Sequence, residues 1–176
     1  MTGKEFLNAV ANGREDVVQA LLDILAETGS NYCVIGGLAV NAYVEPVVSL
    51  DVDVVVAAKA IDAVSAAAAK RGFKVERSAH GVDLTHPGSD LRVQIQTDPR
   101  YEAFIPRGVE RDVLGYRIKV AALEDVVQGK VWAYTDPTRR PSKRQKDLAD
   151  LLRLIEAHPD LAAALPAAVR DALDRA

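Results

Sequence analysis

Two aspartates, Asp51 and Asp53, stand two positions apart in the apolar run LDVDVVV. On a β-strand, residues at this spacing project from the same face, whereas Val52 and Val54 point to the opposite one. Neighbouring carboxylates repel each other unless a cation neutralises them, and a hard divalent ion such as Mg²⁺ takes oxygen ligands. The pair therefore predicts a metal site on a strand anchored by valines. The alternative is an exposed edge strand that carries two aspartates without a metal.

A glycine pair precedes the aspartates. Gly36 and Gly37 follow the apolar segment Tyr32–Ile35 and open a helical stretch at residues 38–43. Backbone N–H groups at such a strand-to-helix turn can hold a phosphate, and glycine allows the backbone to approach it closely. The glycine turn and the two carboxylates together indicate phosphate and metal binding more strongly than either feature alone.

Basic residues are concentrated at residues 138–146 (TRRPSKRQK), which hold five of the twenty-two lysines and arginines. Such a run is usually a solvated loop and helix start, and the alternative is a phosphate-binding patch. The net charge of −3 does not indicate a protein that coats nucleic acid. Cys33, the only cysteine, lies in the apolar segment YCVIGG and is expected to be a core residue rather than a nucleophile.

The elements that must position these residues follow from the apolar periodicity. Helices are predicted at residues 6–25, with an interruption at Asn12-Gly13, and at residues 59–70. Strands are predicted at residues 32–35, 50–56, 73–77, 81–86, 91–96 and 116–120, and C-terminal helices at residues 123–134, 143–157 and 166–175. This order predicts an α/β core with a helical C-terminal part.

No linker rich in Gly, Ser or Pro separates the two parts. Residues 1–120 are expected to form the α/β core with N-terminal helices, and residues 121–176 a helical part packed on it as one unit.

The composition is that of a globular protein, since 49% of the residues are hydrophobic and the mean hydropathy is close to zero. No apolar run approaches the roughly 20 residues that a membrane helix needs. The N-terminal residues carry charges in place of a secretion-signal core, and one cysteine does not favour a disulfide framework. A cytoplasmic protein without membrane association is therefore expected.

The segment VIGGLAVNAYVEPVVSLDVDVVV resembles the signature of the polymerase-β-like nucleotidyltransferase superfamily. That signature is a hydrophobic residue, a Gly-Gly or Gly-Ser pair, a gap of this size, and two acids that alternate with hydrophobic residues. Within the superfamily, the chain resembles the small stand-alone bacterial proteins of the abortive-infection toxin type, AbiEii. Those proteins often carry Ser or Thr two residues before the first acid, as Ser49 does here. They also commonly carry Arg two residues earlier, where this chain has Val47.

The C-terminal half is similar to the same group. LEDVVQGKVWAY and RRPSKRQKDLADLLRL resemble its helical part, in which a helix lysine precedes a Lys-Asp pair on a later helix. In this chain these residues are Lys130 and Lys146-Asp147, with Asp150 one turn further. The resemblance covers most of the chain, roughly residues 32–155.

The resemblance implies a nucleotidyltransferase-like mixed β-sheet flanked by helices. It also implies transfer of a nucleoside monophosphate from a nucleoside triphosphate, such as ATP, to an acceptor hydroxyl. Asp51 and Asp53 would be the catalytic carboxylates that hold Mg²⁺, with Mn²⁺ as an alternative ion. Gly36, Gly37 and Ser49 would orient the triphosphate.

Lys130, Lys146 and Asp147 are the further nucleotide-binding residues that the resemblance implies. Both lysines would neutralise phosphate charge, and the alternative for each is an ordinary surface lysine. Asp147 and Asp150 also have an alternative, because acids near a helix N-terminus complement the helix dipole.

Superfamily members usually carry a third carboxylate on a later strand, where it completes the metal site or acts as a base. In this chain Gln94 or Gln96 stands where that acid is expected. An amide neither replaces the charge of a carboxylate nor acts as a base near pH 7. Asp83 or Asp98 would substitute only with a shift of the alignment. A second function is therefore open, that of a catalytically degenerate module that binds a nucleotide or a partner protein.

The toxin resemblance implies partners besides the nucleoside triphosphate. The acceptor hydroxyl would belong to RNA or to a protein, and a cognate antitoxin would restrain the activity. The basic run favours RNA.

Overall fold

A single mixed sheet of seven strands organises the computed structural model, which describes all 176 residues. The strands are β1 (Tyr32–Ile35), β2 (Asp51–Val56), β3 (Lys74–Ser78), β4 (Gly81–His86), β5 (Ser89–Gln96), β6 (Val109–Val113) and β7 (Tyr116–Val120). Their order across the sheet is β3-β4-β5-β2-β1-β7-β6. Only β2–β5 and β1–β7 pair in parallel. The predicted α/β fold with a mixed sheet is confirmed.

Helices flank this sheet and form the C-terminal part of the chain. They are α1 (Gly3–Val10), α2 (Val17–Glu27), α3 (Gly36–Val40), α4 (Ile61–Lys70), α5 (Leu123–Thr135), α6 (Pro141–Ala157) and α7 (Ala167–Asp174). Short 3-10 helices lie at Ala58–Ala60, Pro99–Arg107 and Pro159–Ala164. None of the helices combines the length and apolarity that a membrane span requires.

The predicted interruption of the first helical segment is confirmed. Asn12 adopts a left-handed backbone conformation with φ of 49°, which ends the first helix. Asp16 then caps α2, since its carboxylate accepts a hydrogen bond from the backbone N–H of Gln19 at 3.0 Å.

Strand β2 lies inside the sheet, between β1 and β5. Its valines explain this position, because Val52 and Val54 are fully buried on one face of the sheet. Asp51 and Asp53 are only partly buried on the other face. The alternative of an edge strand is therefore wrong.

The hydrophobic core is one continuous cluster of 41 buried residues. Leu151 and Leu154 of α6 and Val169 of α7 are fully buried in it. The C-terminal helices therefore share the core of the sheet instead of building a separate one.

Two elements between β5 and β7 were not predicted from the sequence. The 3-10 helix Pro99–Arg107 contains Pro106, which interrupts any regular helical pattern. Strand β6 is exposed at four of its five residues, so it lacks the apolar alternation that marks a strand. Leu114 and Gly115 turn it into β7, both with positive φ, and leucine is an unusual residue for such a turn.

Burial determines the reactivity of Cys33. The side chain is fully buried in β1, and burial raises the pKa of its thiol to about 12, although nearby Lys119 opposes this shift. We expect Ellman's reagent at pH 8 to leave the native protein unmodified and to label one thiol per chain in guanidinium chloride, because the thiolate is the reacting species. A Cys33→Ser variant gives the reagent background. Rapid labelling of the native protein would contradict the core position.

Candidate active site

A cavity of about 890 Å³ opens where the end of β1 meets the start of β2. Because these strands are antiparallel, Ile35 at the end of β1 pairs with Asp53. The glycine turn that follows β1 is thereby placed directly beside the two carboxylates. Strands β4 and β5 and helices α5 and α6 supply the other walls.

Gly36 and Asp53 are in direct contact at the floor of this cavity. Gly36 has φ of +67°, and a Cβ atom at this position would collide with the carboxylate Oδ2 of Asp53. Gly37 is different, because the nearest atom to an added Cβ is Ser49 Cβ at 3.9 Å. Only the first glycine of the pair is therefore required by both backbone conformation and space.

The carboxylate of Asp53 faces the cavity without a hydrogen-bond or ion-pair partner. Burial raises its pKa, the charge of Lys130 opposes this, and the neighbouring charge of Asp51 raises it further. The fold thus holds a carboxylate to which no cation is directly bound, although positive charges lie nearby.

Asp51 is neutralised by two cations from distant parts of the chain. Its Oδ1 accepts hydrogen bonds from Arg92 Nη2 at 2.9 Å and Nε at 3.2 Å, and its Oδ2 accepts one from Lys143 Nζ at 2.8 Å. Burial would raise the pKa of Asp51, but these two partners hold it below its usual range. Neither Arg92 nor Lys143 was predicted as a site residue.

A buried cluster of charges joins α5 to α6 at the wall of the cavity. Lys130, only 7% exposed, binds Asp147 Oδ1 at 3.0 Å and Asp150 Oδ2 at 2.7 Å. Arg139 Nε also donates to Asp147 at 2.6 Å. Burial lowers the pKa of Lys130, but the two aspartates outweigh it and the net shift is upward.

This cluster bears on two predicted nucleotide-binding residues. Lys130 and Asp147 line the cavity, but their partners in the structure are each other and neighbouring charges. Their binding to a nucleotide stays a prediction. Lys130 is not an ordinary surface lysine, and the helix-dipole alternative for Asp147 and Asp150 is wrong. Helix α6 begins at Pro141, so both acids lie beyond its first turn.

The remaining predicted residues, Ser49 and Lys146, are in contact at the rim of the cavity. Lys146 Nζ and Ser49 Oγ lie 3.0 Å apart, and Ser49 Oγ also accepts a hydrogen bond from the backbone N–H of Asp51 at 3.3 Å. Four of the five basic residues of the run at 138–146 line the cavity: Arg139, Arg140, Lys143 and Lys146.

Gln94 occupies the position next to Asp53 on the neighbouring parallel strand β5. No group of three His, Cys, Asp or Glu side chains in the structure could hold a metal ion. The structure therefore agrees with the sequence comparison that no third carboxylate lies beside Asp51 and Asp53.

Two carboxylates nevertheless fit Mg²⁺, which usually takes one or two protein carboxylates and completes its shell with water and phosphate oxygens. The unpartnered carboxylate of Asp53 and the two cations drawn to Asp51 both mark a place where positive charge is favoured. Asp51 and Asp53 are the residues that would hold the ion.

Trp132, the only tryptophan, lines the cavity and lies between the ring of Phe104 and the guanidinium of Arg100. It stacks on Phe104 with ring centroids 5.6 Å apart, and the guanidinium of Arg100 lies 4.7 Å from the Trp132 ring centroid. The residue is half-buried, so its fluorescence reports on occupancy of the cavity.

The contact between Gly36 and Asp53 predicts unequal effects for two glycine substitutions. Gly36→Ala is expected to lower the free energy of unfolding by at least about 1 kcal/mol, because alanine disfavours positive φ and its Cβ displaces Asp53. Gly37→Ala, the matched control, is expected to be neutral or slightly stabilising, since it lies in α3 with free space around it. Urea denaturation measures both, and equal destabilisation would contradict the assignment.

The opposite pKa shifts of the two aspartates predict opposite effects of amide substitution in metal-free buffer. The pKa of Asp53 is higher in the folded than in the unfolded state. The protonated side chain therefore contributes stability below about pH 3.9, and this contribution is lost as the pH rises through the pKa of the folded state. Asp53→Asn is therefore expected to stabilise the protein at pH 7 and to have little effect near pH 3.

The pKa of Asp51 is lowered, so its contribution is present above about pH 3.9 and is lost as the pH falls. Asp51→Asn is expected to destabilise the protein at pH 7 by about 1 kcal/mol, a value discounted for partial solvent exposure. Urea denaturation in EDTA at both pH values compares the variants. Shifts of the same sign at pH 7 would refute this description of the site.

Solved structures with a similar fold include nucleotidyltransferases and a nucleotidyltransferase-like protein. ANT(2'')-Ia in complex with adenylyl-2''-tobramycin aligns with a TM-score of 0.57 and 16% identity, over 90% of this chain and 95% of that one. The lincosamide antibiotic adenylyltransferase LnuA, bound to lincomycin, aligns with a TM-score of 0.57 and 13% identity, over 81% and 98%. An antigenic nucleotidyltransferase-like protein from Paracoccidioides brasiliensis aligns with a TM-score of 0.53 and 19% identity, over 85% of this chain and 75% of that one. Identities this low show a common fold.

The family comparison is more specific. A search of curated protein sequences finds no match. Residues 20–176, which include every residue of the site, match the model of the nucleotidyl transferase AbiEii toxin family of type IV toxin–antitoxin systems. This match covers most of the chain and confirms the resemblance carried by the glycine turn and the paired aspartates. The chain therefore belongs to the nucleotidyl transferase AbiEii toxin family.

Proposed function

We propose that this protein transfers a nucleoside monophosphate from a nucleoside triphosphate to a hydroxyl group of RNA, with Mg²⁺ or Mn²⁺ bound at Asp51 and Asp53. The observation that carries the proposal is the carboxylate pair on one face of β2. One member is held by Arg92 and Lys143, and the other lies unpartnered against Gly36 at the floor of a large cavity.

The chain supplies positioning and positive charge for the triphosphate. Lys143 and Arg92 keep Asp51 ionised and place two cations beside the phosphates. Gly36-Gly37 allows close backbone approach, while Ser49 and Lys146 lie together at the rim. These groups can fix the triphosphate in one orientation, which is most of what phosphoryl chemistry requires of a protein.

In the proposed reaction the acceptor oxygen attacks the α-phosphorus, and the bond from that phosphorus to the bridging oxygen of pyrophosphate breaks. A divalent ion supplies charge neutralisation of the phosphate oxygens in this chemistry. The carboxylates of Asp51 and Asp53 would hold it, and residues of α5 and α6 line the cavity around them.

The basic and aromatic lining favours RNA as the acceptor. Arg139, Arg140 and Lys143 provide cations for a phosphate backbone, and the planar guanidinium of Arg100, which lies over the Trp132 ring, provides a surface on which a base can stack. A protein hydroxyl is the other acceptor that the transfer experiment can reveal. Two of the structural relatives named above contain lincomycin or adenylyl-2''-tobramycin, so the fold does not dictate an RNA or protein acceptor.

Family membership supports two further expectations. We expect a cognate antitoxin that restrains the activity, because the family belongs to type IV toxin–antitoxin systems. We also expect the protein to act in the cytoplasm, where nucleoside triphosphates and RNA are available.

A second function is favoured by one observation, the neutral Gln94 beside Asp53. A protein without a third carboxylate at this position could bind a nucleotide without transferring it. Nucleotide binding without any transfer would therefore support a degenerate binding module.

The test is a transfer assay with each of the four α-labelled nucleoside triphosphates, in Mg²⁺ or Mn²⁺, against total RNA and against the protein itself. We expect metal-dependent labelling of RNA by one or more nucleotides. An Asp51→Ala/Asp53→Ala variant should lose roughly a thousandfold in rate or more, because a metal ion supplies several kcal/mol to the transition state. Asp62→Asn, an exposed acid paired with Arg77, is the matched control and should keep full activity.

Trp132 fluorescence provides a binding measurement that does not depend on catalysis. Quenching by a nucleotide that is never transferred would favour the degenerate module. Absence of both transfer and quenching with all four nucleotides would overturn the proposed function.

A further inference from the structure

The proposed reaction requires a group that accepts the proton of the attacking hydroxyl. Gln94 lies at the position where a third carboxylate would be expected, and its amide has no proton affinity near pH 7. A protein base for this reaction must therefore come from another side chain that lines the cavity, either an aspartate or His80, which is exposed in the turn between β3 and β4.

Seven aspartates line the cavity, and five of them already have partners. The engaged residues are Asp51, Asp98, Asp125, Asp136 and Asp147. Asp98, for example, is held by the guanidinium of Arg100 through both oxygens. A carboxylate held in this way is a poor proton acceptor. Only Asp53 and Asp83 have no hydrogen-bond or ion-pair partner, and Asp53 belongs to the metal-binding pair.

The register of the sheet places Asp83 on the same face as Asp53. Asp53 pairs with Gln94 across β2 and β5, and Gln94 pairs with Asp83 across β5 and β4. Directly paired residues project to the same side of a sheet. The three side chains therefore form a row across the floor of the cavity, with the free carboxylates of Asp53 and Asp83 on either side of Gln94.

The spacing along this row separates two possible roles for Asp83. Two strand spacings, about 10 Å, lie between the backbones of Asp53 and Asp83. Carboxylates that share Mg²⁺ each lie about 2 Å from it, and in the structure Asp83 does not combine with the pair into a three-residue metal site. A base needs only to reach within about 3 Å of a hydroxyl oxygen, which itself approaches the reacting phosphorus at about 3 to 3.5 Å. The position of Asp83 suits this second role.

We propose that Asp83 is the general base for the acceptor hydroxyl, in place of the carboxylate that Gln94 lacks. This inference rests on the proposed transfer function. The hydroxyl proton passes to a carboxylate oxygen of Asp83 while the oxygen forms its bond to the α-phosphorus. The electron pair of the broken phosphorus–oxygen bond leaves with pyrophosphate.

The test compares Asp83→Asn with Glu76→Gln under single-turnover conditions, with total RNA and the labelled nucleotide that the native protein transfers. Glu76 pairs with Asp83 on the edge strand β3 but is bound to Lys74 at 2.8 Å and lies outside the cavity. Asp83→Asn is expected to slow transfer by about 10² to 10⁴-fold, the usual contribution of a general base. Its nucleotide affinity, measured by Trp132 fluorescence, should stay within about threefold of the native value, because a base contributes little to ground-state binding.

Two further measurements distinguish a base from a merely structural residue. The transfer rate of the native protein should become independent of pH where its base is ionised, whereas the rate of Asp83→Asn should continue to increase with pH. Adding Gln94→Asp to Asp83→Asn returns a carboxylate to β5 and should recover part of the rate.

Each outcome decides between the two proposals. Native-like transfer by Asp83→Asn, or a parallel loss of nucleotide binding, overturns the role of Asp83 and leaves the proposed function intact. If the native chain labels no acceptor with any nucleotide, the proposed function fails and the base assignment fails with it.

Discussion

The arrangement of the site depends on one constraint, the presence of two carboxylates on the same face of an internal strand. Val52 and Val54 anchor β2 in the core, so Asp51 and Asp53 cannot turn away from each other without removing apolar surface from it. The carboxylate of Asp51 forms ion pairs with Arg92 and Lys143. The carboxylate of Asp53 has no ion-pair partner, and its pKa is raised. A buried carboxylate without an ion-pair partner lowers the stability of the fold, and binding of a cation beside it would offset this cost.

Arg92 lies opposite Asp51 on the neighbouring strand β5, whereas Lys143 is placed by a second, buried set of charges. Lys130 of α5 lies between Asp147 and Asp150 of α6, and Arg139 closes the same cluster. Buried ion pairs contribute more to fixed geometry than to net stability. Here the geometry that they fix is the packing of α5 against α6, and Lys143 lies one turn of α6 before Asp147. The cluster therefore sets where the basic start of α6 meets the carboxylates.

Charge in the cavity is balanced in number but not in position. Seven aspartates face seven lysines and arginines, and most of them are paired. The acids that remain unpaired, Asp53 and Asp83, lie on either side of Gln94 in one row across the sheet. Uncompensated negative charge is thus confined to two places, one suited to a metal ion and one to a proton. A neutral side chain between them keeps the two carboxylates from repelling each other at close range.

Local pattern was enough to predict much of this protein. Alternating valines and aspartates identify β2, and a glycine pair after an apolar segment identifies the turn, because both signals lie within a few residues of chain. Strand β6 escaped prediction because an exposed edge strand carries no apolar face, and Leu114 does not mark a turn. Arg92 and Lys143 escaped it for another reason, since they stand 41 and 92 residues from the Asp51 that they bind. The sequence by itself determined the central strand, the glycine turn and the carboxylate pair. The pairing register of β2, β5 and β4 and the packing of α5 on α6 decided which charges meet, because contacts between distant residues leave no periodic signal in the chain.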